Sequence, residues 1–476
     1  MQTKSKRMIY VLLVLAAALV LIIAVVSVRG ADGDVVYRKN FGGSGTDIYY
    51  SVAEIPGGFV AVGYSENSSF GNGDWSGVTG KGGYDAIIVK YDDNGDMVWA
   101  KNFGGSGHDC FNSVTPVPGG FVAVGYSGNG SFGNGDWSGV TGKGGNDAII
   151  VKYDDNGDVL WAKNFGGSDV DLFQSVTAVP GGVVAAGDSG SIGNGDLSGL
   201  TKKGGNDAII VKYDDNGDVL WAKNFGGAGG DYYHSVIAVS GGFIAAGYSG
   251  NGSFGNGDWS GVTGKGGNDA IIVKYDDNGD VLWAKNFGGA GGDYYYSVTA
   301  APGGFVAAGY SEEDSFGNGD WSGVNGKGGN DAIIVKYDNN GDVLWAKNFG
   351  GADGDYFRSV TAAPGGFTAA GYSEEGSFGN GDWSGVNGKG DSDAIAVKYD
   401  GDGNITGKRS FGGSGSDAYQ SVTAVSGGFV TAGESASGSF GNGDWSGVNG
   451  KGSNDAFVTK QKDIVSSPAG EPSPAV

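Results

Sequence analysis

The sequence is poor in cysteine, histidine and basic residues, and each shortage argues against a class of protein. A single cysteine, Cys110, rules out a disulfide framework within the chain. The two histidines, His108 and His234, occupy non-equivalent places in the repeats, so no histidine-based catalytic arrangement can be argued. Lysine and arginine number 30 against 53 acidic residues, a net charge of −23. Nucleic-acid binding needs a concentrated basic face, so we expect no nucleic-acid partner.

Helical patterns are also absent after residue 30. Glycine, which is costly inside helices, accounts for 100 of the 476 residues. No apolar stripe with a 3.6-residue period appears there. The composition therefore favours an all-β protein, and a chain of this length can bury a large core without disulfides.

The first segment of the chain predicts export. Three basic residues precede an apolar run over residues 8–28. A run of about 20 apolar residues can span a bilayer, and a basic flank keeps the amino end in the cytoplasm. Ser27 or Gly30 would suit a cleavage site. Residues 1–31 are thus a signal anchor, which attaches the protein to the membrane at the cell surface, or a cleaved signal peptide, which releases it.

The rest of the chain repeats one unit of about 62 residues seven times. Residues 156–165, which end a unit, have their counterpart at the start of the repeats, in residues 32–41. The last unit ends near Lys460 without this phrase. The two ends of the repeat region are complementary fragments of one unit, as a closed ring requires.

One unit reads as four strands. A first strand is predicted over 111–117, where Val and Thr are mixed with Ser. Apolar runs predict three more strands, over 121–126, 148–153 and 159–165. Asn156-Gly157 between the last two predicts a type I′ hairpin turn. A loop of about 20 residues separates the second strand from the third.

Seven such units predict a seven-bladed β-propeller over residues 32–463 with four antiparallel strands per blade. Residues 35–41 would pair beside 456–461, complete the last blade and remove an exposed sheet edge. The alternative is an open β-solenoid, for which the repeat period is long. Residues 464–476, rich in Ser and Pro, predict a disordered tail.

The sequence resembles two groups of known propellers. Residues 147–161 look like the third and fourth strands of quinoprotein-like propellers, in which a turn of Asp and Gly leads to a docking Trp. The whole unit looks still more like the β-propeller repeats of bacterial and archaeal cell-surface proteins, over about residues 34–463. This resemblance implies an aromatic or apolar side chain packed between blades at Trp99, Trp161, Trp221, Trp283, Trp345, Tyr37 and Ile405.

The resemblance implies no cofactor. Quinone sites in the enzymes depend on irregular features such as a vicinal cysteine pair, whereas this chain has one cysteine and near-identical blades.

The long loop of each unit carries the sequence Gly-Asn-Gly-Asp, followed in six units by Trp. Trp beside Asp suits a sugar site, with a flat platform and a hydrogen-bond acceptor. In the third unit, however, Ile192 and Leu197 replace Phe and Trp together, which favours a small apolar cluster that pins the loop. Both alternatives stay open. The ligand-binding candidates are Asp74, Trp75, Asp136, Trp137, Asp258, Trp259, Asp320, Trp321, Asp382, Trp383, Asp444 and Trp445.

The hairpin of the unit carries oxygen ligands at alternating positions, Asp154, Asn156 and Asp158. Calcium takes several carboxylates and carbonyls, so these residues are weak calcium candidates. Turn chemistry explains the same residues without metal.

Two function classes fit these observations. An exported module for adhesion, envelope packing or glycan contact would use repeated, equivalent surfaces toward an extracellular protein or glycan. The alternative is an extracellular propeller enzyme, acting on polysaccharide through paired carboxylates or as a quinoprotein-like oxidoreductase. Near-identical blades favour the binding module, since an enzyme needs one asymmetric constellation of residues. The sequence does not predict an oligomeric state.

Overall fold

A computed structural model describes residues 34–464, which form seven four-stranded antiparallel sheets. Six sheets follow the chain strand by strand, and in the seventh the first strand of the fold pairs with the last strand, at the edge of a sheet formed with the two strands before it. The predicted seven-bladed propeller is therefore confirmed. The predicted signal segment 1–31 and residues 465–476 of the predicted tail lie outside the described residues.

The strands are numbered in chain order and grouped here by blade. Blades 1 to 4 comprise β2–β5 (Asp47–Ile55, Gly58–Glu66, Tyr84–Asp92, Met97–Phe103), β6–β9 (Asp109–Val117, Gly120–Gly128, Asn146–Tyr153, Val159–Phe165), β10–β13 (Asp171–Val179, Gly182–Ser189, Asp207–Asp214, Val219–Phe225) and β14–β17 (Asp231–Val239, Gly242–Gly250, Asn268–Tyr275, Val281–Phe287). Blades 5 to 7 comprise β18–β21 (Asp293–Ala301, Gly304–Ser311, Asp331–Asp338, Val343–Phe349), β22–β25 (Asp355–Ala363, Gly366–Glu374, Ser392–Asp400, Ile405–Phe411) and β26–β28 (Asp417–Val425, Gly428–Ala436, Asn454–Lys462) with β1 (Val35–Phe41).

Short 3₁₀ helices interrupt the long loop between the second and third strands of each blade. They span Asn67–Ser69, Gly73–Trp75, Asn129–Ser131, Gly135–Trp137, Gly195–Leu197, Asn251–Ser253, Gly257–Trp259, Glu313–Ser315, Gly319–Trp321, Glu375–Ser377, Gly381–Trp383, Ser437–Ser439 and Gly443–Trp445. Within residues 34–464, no helix is long and apolar enough to cross a membrane.

The first strand of the fold closes the ring. β1 pairs antiparallel with β28, with Phe41 opposite Ala456 and Val35 opposite Gln461, as predicted. Blades 7 and 1 share one buried apolar cluster that includes Phe41, Trp75 and Val458. The closing interface is therefore packed in the same way as the interfaces between blades that follow one another in the chain.

The tryptophan of each fourth strand packs on the hairpin of the next blade, as the resemblance implied. Gly157, at φ +79°, lies under the ring of Trp99, where a Cβ would come within 2.9 Å of a ring carbon. The Trp99 indole N–H points to the Asp155 carbonyl at 3.4 Å. Glycine is thus required twice, for the positive φ and for the close approach of the ring. Tyr37 covers Gly95 of blade 1 in the same way.

Blade 6 departs from this pattern, and the expectation for Ile405 was wrong. The strand register pairs Ile405 with Tyr399, as Val159 pairs with Tyr153, so Ile405 is not in the tryptophan position. That position belongs to Gly407, and the buried side chain of Ile464 fills the space above it. The structure therefore places Ile464 in the propeller core rather than in a disordered tail.

The hairpin between the third and fourth strands also differs from the expected type I′ turn. Gly157 has a positive φ, but no other residue type does within residues 34–464. The Gly157 N–H donates to the Asp154 carbonyl at 3.1 Å, and the ladder shifts by one residue between Lys152 and Tyr153. These features are those of a turn followed by a glycine bulge, which leaves Asn156 in an ordinary conformation.

Deletion of residues 34–41 should lower the melting temperature by about 10 °C or more and promote self-association, because β28 becomes an open edge. Calorimetry and size-exclusion chromatography measure the two effects. The control is Tyr37→Trp, which places at this position the residue found in five other blades and should melt like the wild type. An unchanged melt after the deletion would contradict the closure.

Candidate functional site

Each first strand carries a β-bulge at its fourth residue, and the bulged side chains meet at one cavity. In β2 the register shifts between Tyr49 and Ser51, which leaves Tyr50 without a partner in β3. The equivalent residues of all seven blades line a cavity of about 310 Å³, together with Cys110 and Tyr126. Because every blade contributes to it, this cavity lies on the ring axis. We call it the axial channel, and its seven bulged residues are Tyr50, Asn112, Gln174, His234, Tyr296, Arg358 and Gln420.

The bulged position varies while its neighbours repeat. Five residue types occupy it in seven blades, yet the next residue is Ser in every blade. Each of these serine hydroxyls accepts a hydrogen bond from a valine N–H of the adjacent blade, at 3.1–3.4 Å, and the last one, Val52 to Ser421, closes the circle. The inner strands are therefore held in the same way in all seven blades, whereas the side chains that they present to the channel differ.

Sequence reasoning missed the channel because it looked for residues that recur. The feature that marks the channel residues in the sequence is variation between repeats rather than recurrence. An alignment of the seven repeats shows a chemically varied position, with polar and aromatic side chains of five types, directly before an invariant Ser.

One wall of the channel is aromatic and holds a cation. The Arg358 guanidinium carbon lies 4.5 Å from the centre of the Tyr296 ring and 5.5 Å from that of Tyr372. Arg358 Nη2 points to the Tyr372 hydroxyl at 3.4 Å, whereas its Nε is buried without a hydrogen-bond partner. Stacking of this kind fixes the plane of a guanidinium while leaving most of its N–H donors unused.

His234 lies beside this wall. Its ring is 4.8 Å from that of Tyr296 and 5.5 Å from that of Tyr248. Burial, reinforced by the nearby Arg358 charge, lowers the pKa of His234 to about 4. His234 is therefore neutral near pH 7, and its Nε2 is buried without a hydrogen-bond partner.

The remaining wall is built from amides. Asn112 donates to the Phe173 carbonyl at 2.9 Å, and Gln420 Nε2 points to Glu434 at 3.4 Å. Glu434 also accepts from Asn454 at 2.9 Å, and burial raises the pKa of this carboxyl above its usual range. Cys110 is buried in the same region, which raises the pKa of its thiol.

The six predicted loop tryptophans do not face solvent. The indole N–H of Trp75 donates to the Ser65 hydroxyl at 2.9 Å, and the Phe41 ring packs edge-on at 5.0 Å. In blade 3, Leu197 is buried in the equivalent place, beside Ile192. Of the two alternatives, packing of the loop by an apolar cluster agrees with this burial. A buried indole ring offers no exposed face on which a sugar could stack. All six are 0 % exposed: Trp75, Trp137, Trp259, Trp321, Trp383 and Trp445.

The loop aspartates join neighbouring blades. Asp74 accepts from the Gly42 N–H at 2.9 Å and from Lys451 of blade 7 at 2.5 Å. Each such pair is partly exposed and contributes about 0–1 kcal/mol, but seven of them form a second closed ring. The other pairs are Lys81–Asp136, Lys143–Asp196, Lys203–Asp258, Lys265–Asp320, Lys327–Asp382 and Lys389–Asp444.

The weak calcium candidates form a hydrogen-bonded turn. Asp154 Oδ1 accepts from the backbone N–H of Asn156 at 2.8 Å and of Asp158 at 2.9 Å, and these bonds lower the pKa of the Asp154 carboxyl. Among residues 34–464, no group of three or more His, Cys, Asp or Glu side chains is arranged to hold a metal ion. Calcium binding stays a prediction, which a thermal melt with calcium and with chelator can test.

A buried carboxylate near the start of each third strand contributes to the pH dependence of stability. In six blades it accepts an amide hydrogen bond from an Asn of the fourth strand at 2.6 Å, as Asp85 does from Asn102. Blade 6 has Ser410 in place of that Asn, so the buried Asp393 lacks the amide hydrogen bond to Oδ2. Its Oδ1 has no hydrogen-bond partner either, as is also the case for Asp331 in blade 5. Burial raises the pKa of Asp393 to about 7, with Lys389 offsetting only part of the effect.

Comparisons with known proteins indicate only distant relatives. No protein-family model matches the chain. Regulatory protein FlaEY of Caulobacter vibrioides is 26% identical over 235 residues, which is 47% of this chain and 24% of that protein. The chain thus spans about a quarter of that relative's length.

Similar solved structures include three propellers. BamB from Moraxella catarrhalis is 12% identical with a TM-score of 0.40, covering 90% of this chain and 99% of that one. The WD40 propeller domain of Doa1 is 12% identical with a TM-score of 0.42, covering 90% and 98%. A europium-containing methanol dehydrogenase is 11% identical with a TM-score of 0.39, covering 86% and 81%. Likeness at this level leaves the function open.

Ser410→Asn should stabilise the protein by about 1–2 kcal/mol at pH 8, because the new amide donates to the Asp393 carboxylate. A raised folded-state pKa contributes stability that is present at low pH and is lost as the pH rises through about 7. The gain should therefore shrink at pH 5, where Asp393 is protonated in the folded state. Urea unfolding of the wild type and the variant at both pH values measures this change in the free energy of unfolding. Ser410→Ala, which adds no donor, should show no gain, and an equal gain at both pH values would contradict the assignment.

Proposed function

We propose that this protein is an exported binding module of the cell surface, without catalytic activity, whose ligand enters the axial channel. The observation that carries the proposal is the contrast between the bulged position and the rest of the blade. The blades share the contacts that hold the ring together, whereas Asn, Gln, His, Tyr and Arg alternate around its axis. A set of different polar and aromatic groups converging on one cavity is what a specific ligand requires.

The ring supports such a site by holding it in place. The Ser–Val hydrogen bonds and the Lys–Asp pairs each run through all seven blades. A site fixed before the ligand arrives loses less conformational entropy on binding, so a modest number of contacts gives useful affinity. Closure thus serves recognition as well as stability.

The proposed binding surface is the axial channel and not the repeated loops that the sequence suggested. The loop tryptophans are used inside the core and the loop aspartates between blades. Export is proposed from the basic and apolar character of residues 1–31 alone, with the anchor and the cleaved signal as the two forms.

A channel-filled variant tests the proposal. Gln174→Tyr combined with Gln420→Tyr narrows the cavity with a residue that the same position already holds in blades 1 and 5. The full-length chain in detergent is applied to a printed glycan array and a short-peptide library. We expect at least one ligand for the wild type, bound about tenfold more weakly, or worse, by the variant.

The matched control is Leu160→Tyr, which adds a tyrosine on the outer strand at a side chain 55% exposed. It should bind as the wild type does. Ligands retained by the channel-filled variant, or the absence of any ligand for the wild type, would contradict the proposal.

A further inference from the structure

The axial channel has a charge opposite to that of the molecule. The chain carries 53 acidic residues and a net charge of −23, yet none of the residues that line the channel is Asp or Glu. One of them, Arg358, is a permanent cation. A cavity with this lining attracts a negatively charged group, which the rest of the surface repels.

Arg358 is prepared to receive that group. A guanidinium has five N–H donors. Arg358 Nη2 points to the Tyr372 hydroxyl at 3.4 Å, and its Nε is buried without a hydrogen-bond partner. Its plane is held against Tyr296 and Tyr372, so little side-chain entropy remains to be lost. A fixed, planar fork of donors matches a carboxylate in bidentate geometry.

The lining of the channel carries one positive charge, which complements a ligand group with one negative charge better than a group with two. His234 is neutral near pH 7, because burial and Arg358 lower its pKa to about 4. Burial raises the pKa of Tyr50 and Tyr126, which stay neutral phenols. Glu434 is not in the lining of the channel but lines a neighbouring cavity with Arg358 and Gln420, and it accepts hydrogen bonds from Asn454 and Gln420. Burial raises the pKa of its carboxyl, although the Arg358 charge offsets part of this effect. The single Arg charge therefore suits a carboxylate better than a phosphate dianion.

The opposite wall and the size of the cavity indicate what carries the carboxylate. Asn112, Gln174 and Tyr50 present amide and phenol groups, which exchange hydrogen bonds with hydroxyls. A volume of about 310 Å³ is at the small end of ligand pockets, of monosaccharide size. Resting on the proposed function, we propose that the channel binds a hydroxylated carboxylate such as a hexuronate, with its carboxylate on Arg358.

Calorimetric titration of the full-length chain tests this with four probes: galacturonate, galactose, acetate and inorganic phosphate. Galacturonate carries both a carboxylate and hydroxyl groups. Galactose lacks the carboxylate, and acetate lacks the hydroxyls. We expect galacturonate to bind about tenfold or more tightly than each of the other three. Arg358→Gln should weaken galacturonate binding about tenfold or more, and Arg358→Lys, which keeps the charge but not the fork, should weaken it too.

The Gln variant introduces a residue that the same position holds in blades 3 and 7, so the fold tolerates it. Lys163→Gln removes one positive charge from the outer edge and should bind as the wild type does. Equal binding of galactose or phosphate, no binding of galacturonate, or full affinity in Arg358→Gln would overturn the inference. If galacturonate fails while another ligand is lost in the channel-filled variant, the binding module stands and only the ligand class is wrong.

Discussion

The pairing of β1 with β28 is the constraint on which the rest of the structure depends. It gives blade 7 its fourth strand, and it brings Phe41 into the apolar cluster shared with blade 1. The axial channel exists only if seven bulged residues face one axis, which an open row of blades would not achieve. The Ser–Val ring and the Lys–Asp ring are likewise completed across this junction, by Val52 with Ser421 and by Lys451 with Asp74.

The contacts that hold the blades together lie farther from the ring axis than the side chains that face the channel. Most contacts that join blades use the same residue types, because the interfaces have similar shapes. Side chains at the bulge have no partner in the strand ladder and face the channel, so they differ between blades without disturbing the pairing. Arg358 lies there against aromatic rings, in particular Tyr296, and its Nε has no hydrogen-bond partner.

Blades that deviate from the repeat show how local losses are tolerated. In blade 6, Gly407 replaces the packing tryptophan and Ile464 compensates from outside the repeat. In blade 2 the buried Tyr153 hydroxyl has no hydrogen-bond partner because Phe111 faces it, whereas Tyr49 and Tyr91 pair at 2.7 Å in blade 1. A buried polar group without a partner costs about 1–3 kcal/mol, which a ring of seven strongly packed interfaces can carry.

The sequence by itself determined the number of blades, the strands of each blade and the closing pair, because strand periodicity and the split repeat are local properties of the chain. The resemblance to known propellers implied that Trp99 and its equivalents pack between blades. Only the tertiary structure decided the turn type at Asn156, the burial of Trp75 and the use of Asp74 between blades. Those outcomes depend on neighbours one blade away. The axial channel is the clearest case, since Arg358 and His234 are 124 positions apart in the chain and meet only because successive blades pack around one axis.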